Sequence, residues 1–376
     1  MILRKEMFMH KKIILPLLND KKDEPAFFYN SDKLETITYE LEDFLSDSHM
    51  NNLSFVKKYM GCQEIKSNNS VEGYNDDVKT IMNVIRHKDT DKTINNLYQG
   101  YKIILENPEI NKENLRKLYD ILSYGLLSDE DIQNMGKYYR KAPVYIFYSK
   151  RLTTPPDEGV SYKLVEPCMD SLFEYLNNDN ACSQTEYFIK SQIAHFYFVY
   201  VHPFFDVNGR TSRTLGMWYL LNNKTYPYII FNRAIPLAIE KYYKVIRDTS
   251  KFRNMTFFLG YMLENVKIEL EKEHIITSII ENIHGNISEV DYQTLLYILS
   301  MKGEKTGKDY ASFYNRLCER KKVTTIRDEM LIPLIDRKIL IPSRETNSYF
   351  NDGKPNFAFE INQNLIDKQK IKRLKI

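Results

Sequence analysis

The chain has 376 residues, 43% of them hydrophobic and 13% aromatic, which supplies apolar surface for more than one buried core and excludes a disordered chain. Its 53 basic and 50 acidic residues leave a formal charge of +3, too small to demand a polyanionic partner. Cys62, Cys168, Cys182 and Cys318 are scattered with no C-x-x-C spacing, which argues against zinc and disulfides.

Met1 to Glu6 gives way to polar residues before any apolar run reaches signal-peptide length, and no stretch is long enough to span a membrane, so a reducing cytoplasm is the expected compartment. A short apolar run, Ile13 to Leu18, breaks at the polar stretch from Asn19 to Glu24. Leu34, Ile37, Leu41, Phe44 and Leu45 then recur at helical spacing, with Ser31 or Asp32 as the cap. Ile65 to Gly73 reads as a helix end stopped by glycine. Leu97, Tyr101 and Ile104 mark one helix, and Leu115, Leu118, Ile121 and Leu122 mark another that opens near Asn111 after Pro108. Val144 to Tyr148 is β-prone and Thr153 to Gly159 is turn-rich, which predicts a hairpin over 138–160. Leu164, Met169, Leu172 and Leu176 predict a further helix.

The densest chemistry lies at His202-Pro203-Phe204-Phe205-Asp206-Val207-Asn208-Gly209-Arg210-Thr211-Ser212-Arg213. It follows a helical pattern from Glu186 to Val201 that should be buried along one face, and it precedes a second helix from Thr211 to Leu221. Pro203 ends the first helix, and a loop opening the second presents free backbone N–H groups to an anion. Arg210 and Arg213 lie three apart and can both face that anion, which suits a polyphosphate. Asp206 is the ligand for Mg²⁺, Asn208 a donor to a phosphate oxygen, and His202 the general base. His195, on the same helix, has nothing phosphate-like around it and reads as a core histidine.

This segment resembles the signature HxFx(D/E)GNGRxxR of the Fic (filamentation induced by cAMP) family. One position departs: Val207 stands where the family has glycine, and a β-branched residue resists positive φ. The resemblance implies AMP transfer from ATP to a protein hydroxyl. In it His202 deprotonates the target, Asp206 binds Mg²⁺, Asn208, Gly209 and Arg210 form the α- and β-phosphate site, and Arg213 holds the γ-phosphate. It also implies that the hairpin, through Val144, Tyr145 and Ile146, receives an extended target segment by strand pairing. It further implies that one of Tyr242 and Tyr243, in the family's last core helix, flanks the adenine.

Ser67 to Gly73 resembles the family's inhibitory motif (S/T)xxxE(G/N), in which Glu72 would pair with Arg213 and displace the γ-phosphate. Asn68 occupies the place of the preferred Ser or Thr, with Ser67 one position early. The expected fold is mainly α, a Fic-type helical core with a β-hairpin flap plus a C-terminal winged-helix-like domain. Expected segments are 1–95 carrying the inhibitory motif, 96–250 as the core, 251–285 as a helical connector and 286–376 as the winged-helix-like module. Self-modification and a homodimer fit this reading. In the C-terminal module Lys321, Lys322, Arg327, Arg337 and Lys338, with the tail from Lys368 to Lys375, leave DNA contact open. The alternative function is a DNA-binding transcriptional regulator with a nucleotide-sensing core. A third keeps the enzyme and changes the donor to another nucleotide or a phospho-alcohol.

Overall fold

In the computed structural model the described residues are 11–18, 20, 25–45, 54–87, 91–147, 156–178, 181, 183–223, 232–233, 235–283, 285–303 and 305–366. The chain is mainly helical. It opens with strands β1 (Lys11–Ile14) and β2 (Phe27–Asn30), followed by α1 (Asp32–Leu45), α2 (Ser54–Val71), α3 (Val78–His87), α4 (Lys92–Glu106), α5 (Lys112–Leu122) and α6 (Asp129–Asn134). Strands β3 (Tyr145–Ile146) and β4 (Asp157–Glu158) lead to α7 (Tyr162–Asn177), α8 (Gln184–Val201), α9 (Asn208–Asn222), α10 (Ile239–Phe252) and α11 (Thr256–Asn282). The last part holds α12 (Glu289–Ser300), α13 (Gly307–Leu317), α14 (Val323–Ile326), α15 (Ile332–Asp336), β5 (Leu340–Tyr349) and β6 (Pro355–Ile361).

Two compact units emerge, one of 1–51, 95–231 and 238–267 and the other of 52–94, 232–237 and 268–376. The boundaries expected at 250 and 285 fall inside these units, because helices neighbouring in sequence bury their apolar faces in different cores. Among the described residues no helix is long and apolar enough to cross a membrane.

In the first unit, β1 and β2 pair antiparallel with Ile14 opposite Phe27. Ser31, rather than Asp32, caps α1, its Oγ accepting the Leu34 N–H at 3.3 Å. The start of α5 is where the sequence put it: Asn111 Oδ1 accepts the Asn114 N–H at 2.9 Å. Leu115, Leu118 and Leu122 are buried as expected, and Tyr119 joins them. At the core is α8, whose middle, from Lys190 to Phe198, is buried on every side rather than along one face, while Glu186 in its first turn stays exposed. Ser191 is accommodated there by donating its hydroxyl to the Phe188 carbonyl at 2.7 Å. Glu42 of α1 reaches the start of α8 and accepts from the Thr185 N–H at 3.0 Å and the Thr185 hydroxyl at 2.8 Å. A carboxylate at a helix N-terminus both satisfies orphan donors and complements the dipole.

In the second unit, α2 ends in a glycine stop: the Gly73 N–H meets the Ser70 carbonyl at 3.0 Å and the Tyr74 N–H the Asn69 carbonyl at 3.1 Å, with Gly73 at φ 93°. Helices α12 and α13, then α14 and α15 joined by a π-helical turn over Arg327–Leu331, precede the antiparallel β5–β6 hairpin. Pro333, lacking an N–H, interrupts the ladder and accounts for the widened turn. Ile276, Leu295, Ile298, Leu334 and Ile339 form this unit's core. A charged cluster is buried here too. Arg233 Nη1 pairs with Glu273, donates to the Tyr292 hydroxyl at 3.0 Å, and has Glu269 Oε2 at 3.5 Å from its Nε. Glu64 accepts the Asn232 side-chain amide at 2.9 Å, and burial raises its carboxyl to about 8.

Candidate active site

Helix α8 stops at His202 because that residue turns left-handed, at φ 52°, and Pro203 cannot continue the ladder. His202 is half-buried, and its Nδ1 lies 3.2 Å from the Val199 carbonyl. A proton on Nδ1 satisfies that carbonyl and makes Nε2 the acceptor nitrogen. Phe204 anchors the turn from below: it is fully buried and stacks on Tyr119 with ring centroids 3.5 Å apart.

The turn keeps the shape that a glycine would give it. Val207 holds φ 62° at the N-cap of α9, a left-handed conformation that costs a β-branched residue roughly 1–2 kcal/mol. Buried packing of its side chain offsets the strain. Asn208 is buried and spent on the turn, its Oδ1 accepting the Phe204 N–H at 3.0 Å and its Nδ2 donating to the Phe204 carbonyl at 2.8 Å. Asp206 is exposed, with one carboxylate oxygen accepting the Val207 N–H at 2.6 Å.

No side chain caps α9, so the N–H groups of Asn208, Gly209 and Arg210 open toward the turn as an anion cradle. Arg210 is 6% exposed, and its Nε and Nη1 have no hydrogen-bond partner among the described residues. Leaving guanidinium N–H groups buried and unpaired is expensive unless an anion takes them. Arg213, one turn on, is 1% exposed. Burial and the Arg213 charge hold His195 down at about 3, so it is neutral as well as buried, in keeping with a core histidine.

Tyr242 is not placed to flank a base. It is 1% exposed, its hydroxyl lies 2.8 Å from His195 Nε2, and its ring stacks on the imidazole, so both its polar tip and its face are committed to the core. Tyr243 stays half-exposed beside it, with ring centroids 5.5 Å apart.

The predicted hairpin is there, reduced to Tyr145↔Glu158 and Ile146↔Asp157; its tip, 148–155, lies outside the described residues. Val144 and Ile146 face inward, and Tyr145 is 58% exposed. Sequence reasoning missed Arg140, which is buried and donates from Nε to the His202 carbonyl at 2.8 Å. No pattern separates it from Lys141 beside it in the sequence. Glu72 is half-buried at the end of α2 and belongs to the second unit, whereas Arg213 belongs to the first.

Residues 109–220 match the model of the Fic/DOC family. The chain carries a Fic/DOC-family domain. In fold it is similar to a Fic family protein from Desulfovibrio desulfuricans G20, with a TM-score of 0.57 at 16% identity over 89% of this chain and 97% of that one. A Fic-domain-containing signaling protein from Bacteroides thetaiotaomicron VPI-5482 matches with a TM-score of 0.46 at 16% identity, over 64% and 96% of the two chains. Fic-1 from C. elegans (residues 134–508) gives 0.45 at 13%, over 64% and 70%. The Fic domain spans α5 to α9 and so includes the His202 turn, the described part of the flap and both arginines. Proteins of the Fic family generally transfer a nucleoside monophosphate to proteins.

Proposed function

We propose that this protein transfers AMP from ATP to a hydroxyl of a protein target, itself included. The observation that carries the reading is the buried Arg210, whose Nε and Nη1 have no partner among the described residues, beside an uncapped helix N-terminus and close in sequence to His202. His202 Nε2 takes the proton of the target hydroxyl as its oxygen attacks the α-phosphorus. The bond from that phosphorus to the bridging oxygen of the β-phosphate breaks, and pyrophosphate leaves. The N–H groups of Gly209 and Arg210 and the Arg210 guanidinium meet the α- and β-phosphates, and Arg213 meets the γ-phosphate.

Mg²⁺ fits the donor set. Among the described residues no three His, Cys, Asp or Glu side chains cluster to cage a metal, and the exposed Asp206 is the single carboxylate that Mg²⁺ needs when phosphate oxygens fill its other positions. When bound, the ion neutralises charge on the phosphates. The edge of β3 receives the target as an added strand, with Tyr145 exposed on one face of the hairpin.

Glu72 is the proposed brake, acting through Arg213. Its place supports a purpose beyond stability, because a carboxylate at a helix C-terminus opposes the dipole by about 0.3–1 kcal/mol. The regulator alternative loses ground: Arg327 is buried between Asp328 and Asp352, Arg337 pairs with Asp291 at 3.1 Å, and Lys321 pairs with Asp77 at 3.2 Å. That leaves Lys322 and Lys338 exposed from the described basic set, and the 368–375 tail lies outside the described residues.

The test is incubation with ATP and Mg²⁺ followed by intact-mass spectrometry. Wild type gains one or more AMP masses, His202→Ala gains none, and Glu72→Gly gains more. Equal labelling of wild type and His202→Ala would remove the catalytic assignment, and no increase in Glu72→Gly would remove the brake.

A further inference from the structure

We propose that Arg140 is the positioning residue of the catalytic turn: its guanidinium clamps the end of α8 to the base of the flap and sets where His202 lies relative to a strand docked on β3. The clamp rests on geometry alone; only its purpose rests on the adenylyl-transfer reading.

Arg140 is 2% exposed. Its Nε donates to the His202 carbonyl at 2.8 Å, its Nη1 to the Ala142 carbonyl at 2.8 Å, and its Nη2 to the Val160 carbonyl and, at 3.4 Å, to the Val201 carbonyl. The backbone closes the same circuit, because the Arg140 N–H donates to the Pro203 carbonyl at 3.0 Å. Two of the acceptors, at Val201 and His202, are terminal carbonyls of α8, which have no partner further along the helix and carry the negative end of its dipole. Ala142 and Val160 stand at the two feet of the flap hairpin. One planar cation therefore ties its own stretch of chain, at Ala142, to Val160 and to the end of α8.

Burial brings Arg140 down to about 10 while Glu158 in β4 pulls it up, so it stays charged at neutral pH and keeps every donor. Lysine cannot replace it, since three donors on one nitrogen do not span acceptors that face a fork from opposite sides. A second, independent feature points the same way. A β-carbon on Gly159 would lie 2.8 Å from Val144 Cγ1, 3.3 Å from Arg140 Nη2 and 3.5 Å from His202 Cβ. Gly159 is thus the spacer that lets the flap, the clamp and the base come together, while its own N–H donates to the Val144 carbonyl at 2.9 Å.

The experiment uses full-length Arg140→Lys and Gly159→Ala with three readouts: Mg·ATP affinity by calorimetry, self-labelling rate at saturating ATP, and the His202 imidazole resonance, assigned by its loss in His202→Ala. We expect Arg140→Lys to bind Mg·ATP within about twofold of wild type, to label at least about tenfold more slowly, and to shift the His202 resonance. Gly159→Ala should move the same two readouts in the same direction by less. Wild-type rate with an unmoved resonance overturns the proposal, as does affinity that falls in step with rate, which would mark general damage. If wild type labels nothing, the adenylyl-transfer reading fails and the resonance alone decides the clamp: a shift upholds it and no shift ends it.

Discussion

Two buried arginines, Arg210 in the first unit and Arg233 in the second, carry the same charge and meet different company. Arg233 has Glu273, Glu269 and the Tyr292 hydroxyl around it, and those charges drive its ionisation still further from neutral pH. Each guanidinium has two nitrogens without a hydrogen-bond partner among the described residues, Nε and Nη1 of Arg210 and Nε and Nη2 of Arg233, so the difference lies in the carboxylates set against Arg233. A guanidinium ringed by carboxylates is architecture, because its charge is spent inside the fold. One that is buried and left open makes sense when its counterion arrives from outside.

The strongest way to break this contrast is to remove the company. Glu273→Ala leaves Arg233 with Glu269 alone and should cost about 3–5 kcal/mol in denaturant unfolding; a loss under about 1 kcal/mol would mean that Arg233 is not held as described. Next, saturating Mg·ATP at a hundredfold over its Kd should stabilise wild type by about 2.7 kcal/mol, and Arg210→Met should lose that gain while matching or exceeding wild type without nucleotide. An Arg210→Met protein that keeps the gain would uncouple the arginine from the anion.

A smaller effect comes from pH, where the units pull in opposite directions. His195, with its folded value near 3 against 6.5 unfolded, binds its proton in the unfolded chain first, so its contribution to stability falls as pH drops through that window. Glu64, near 8 folded against 4.5, holds its proton in the folded chain, so its contribution falls as pH rises from 4.5 to 8. Each slope is about 1.4 kcal/mol per pH unit. His195→Gln and Glu64→Gln should each remove one of them, and unaltered pH curves would show that the groups titrate alike in both states. The least effect is expected at Val207, where Gly relieves strain but gives up burial. Gly should be more stable than Ala there by about 1 kcal/mol, since Ala loses the burial and keeps the positive φ.

The His202 turn was readable from sequence because its chemistry is local, packed into twelve consecutive residues, as were the hairpin and the helix start at Asn111. What escaped depends on partners far along the chain. Tyr242 read as a base-stacking aromatic until its hydroxyl was found on His195, 47 positions away. Arg327 read as a phosphate contact until Asp352 was found against it. Val207 is a third kind of case: its departure from glycine was visible, but whether backbone or side chain yields is decided by the packing around it. Arg140 carried no signal, since its acceptors are all backbone carbonyls, which every residue possesses.

Helix α8 is gripped at both tips, by the Glu42 carboxylate at its first turn and the Arg140 cation at its last. Its 18 residues make a strut of about 27 Å whose two handles each match the pole they hold. A tug on α1 would thus be delivered at the imidazole with little slack, as a push on one end of a rod is felt at the other.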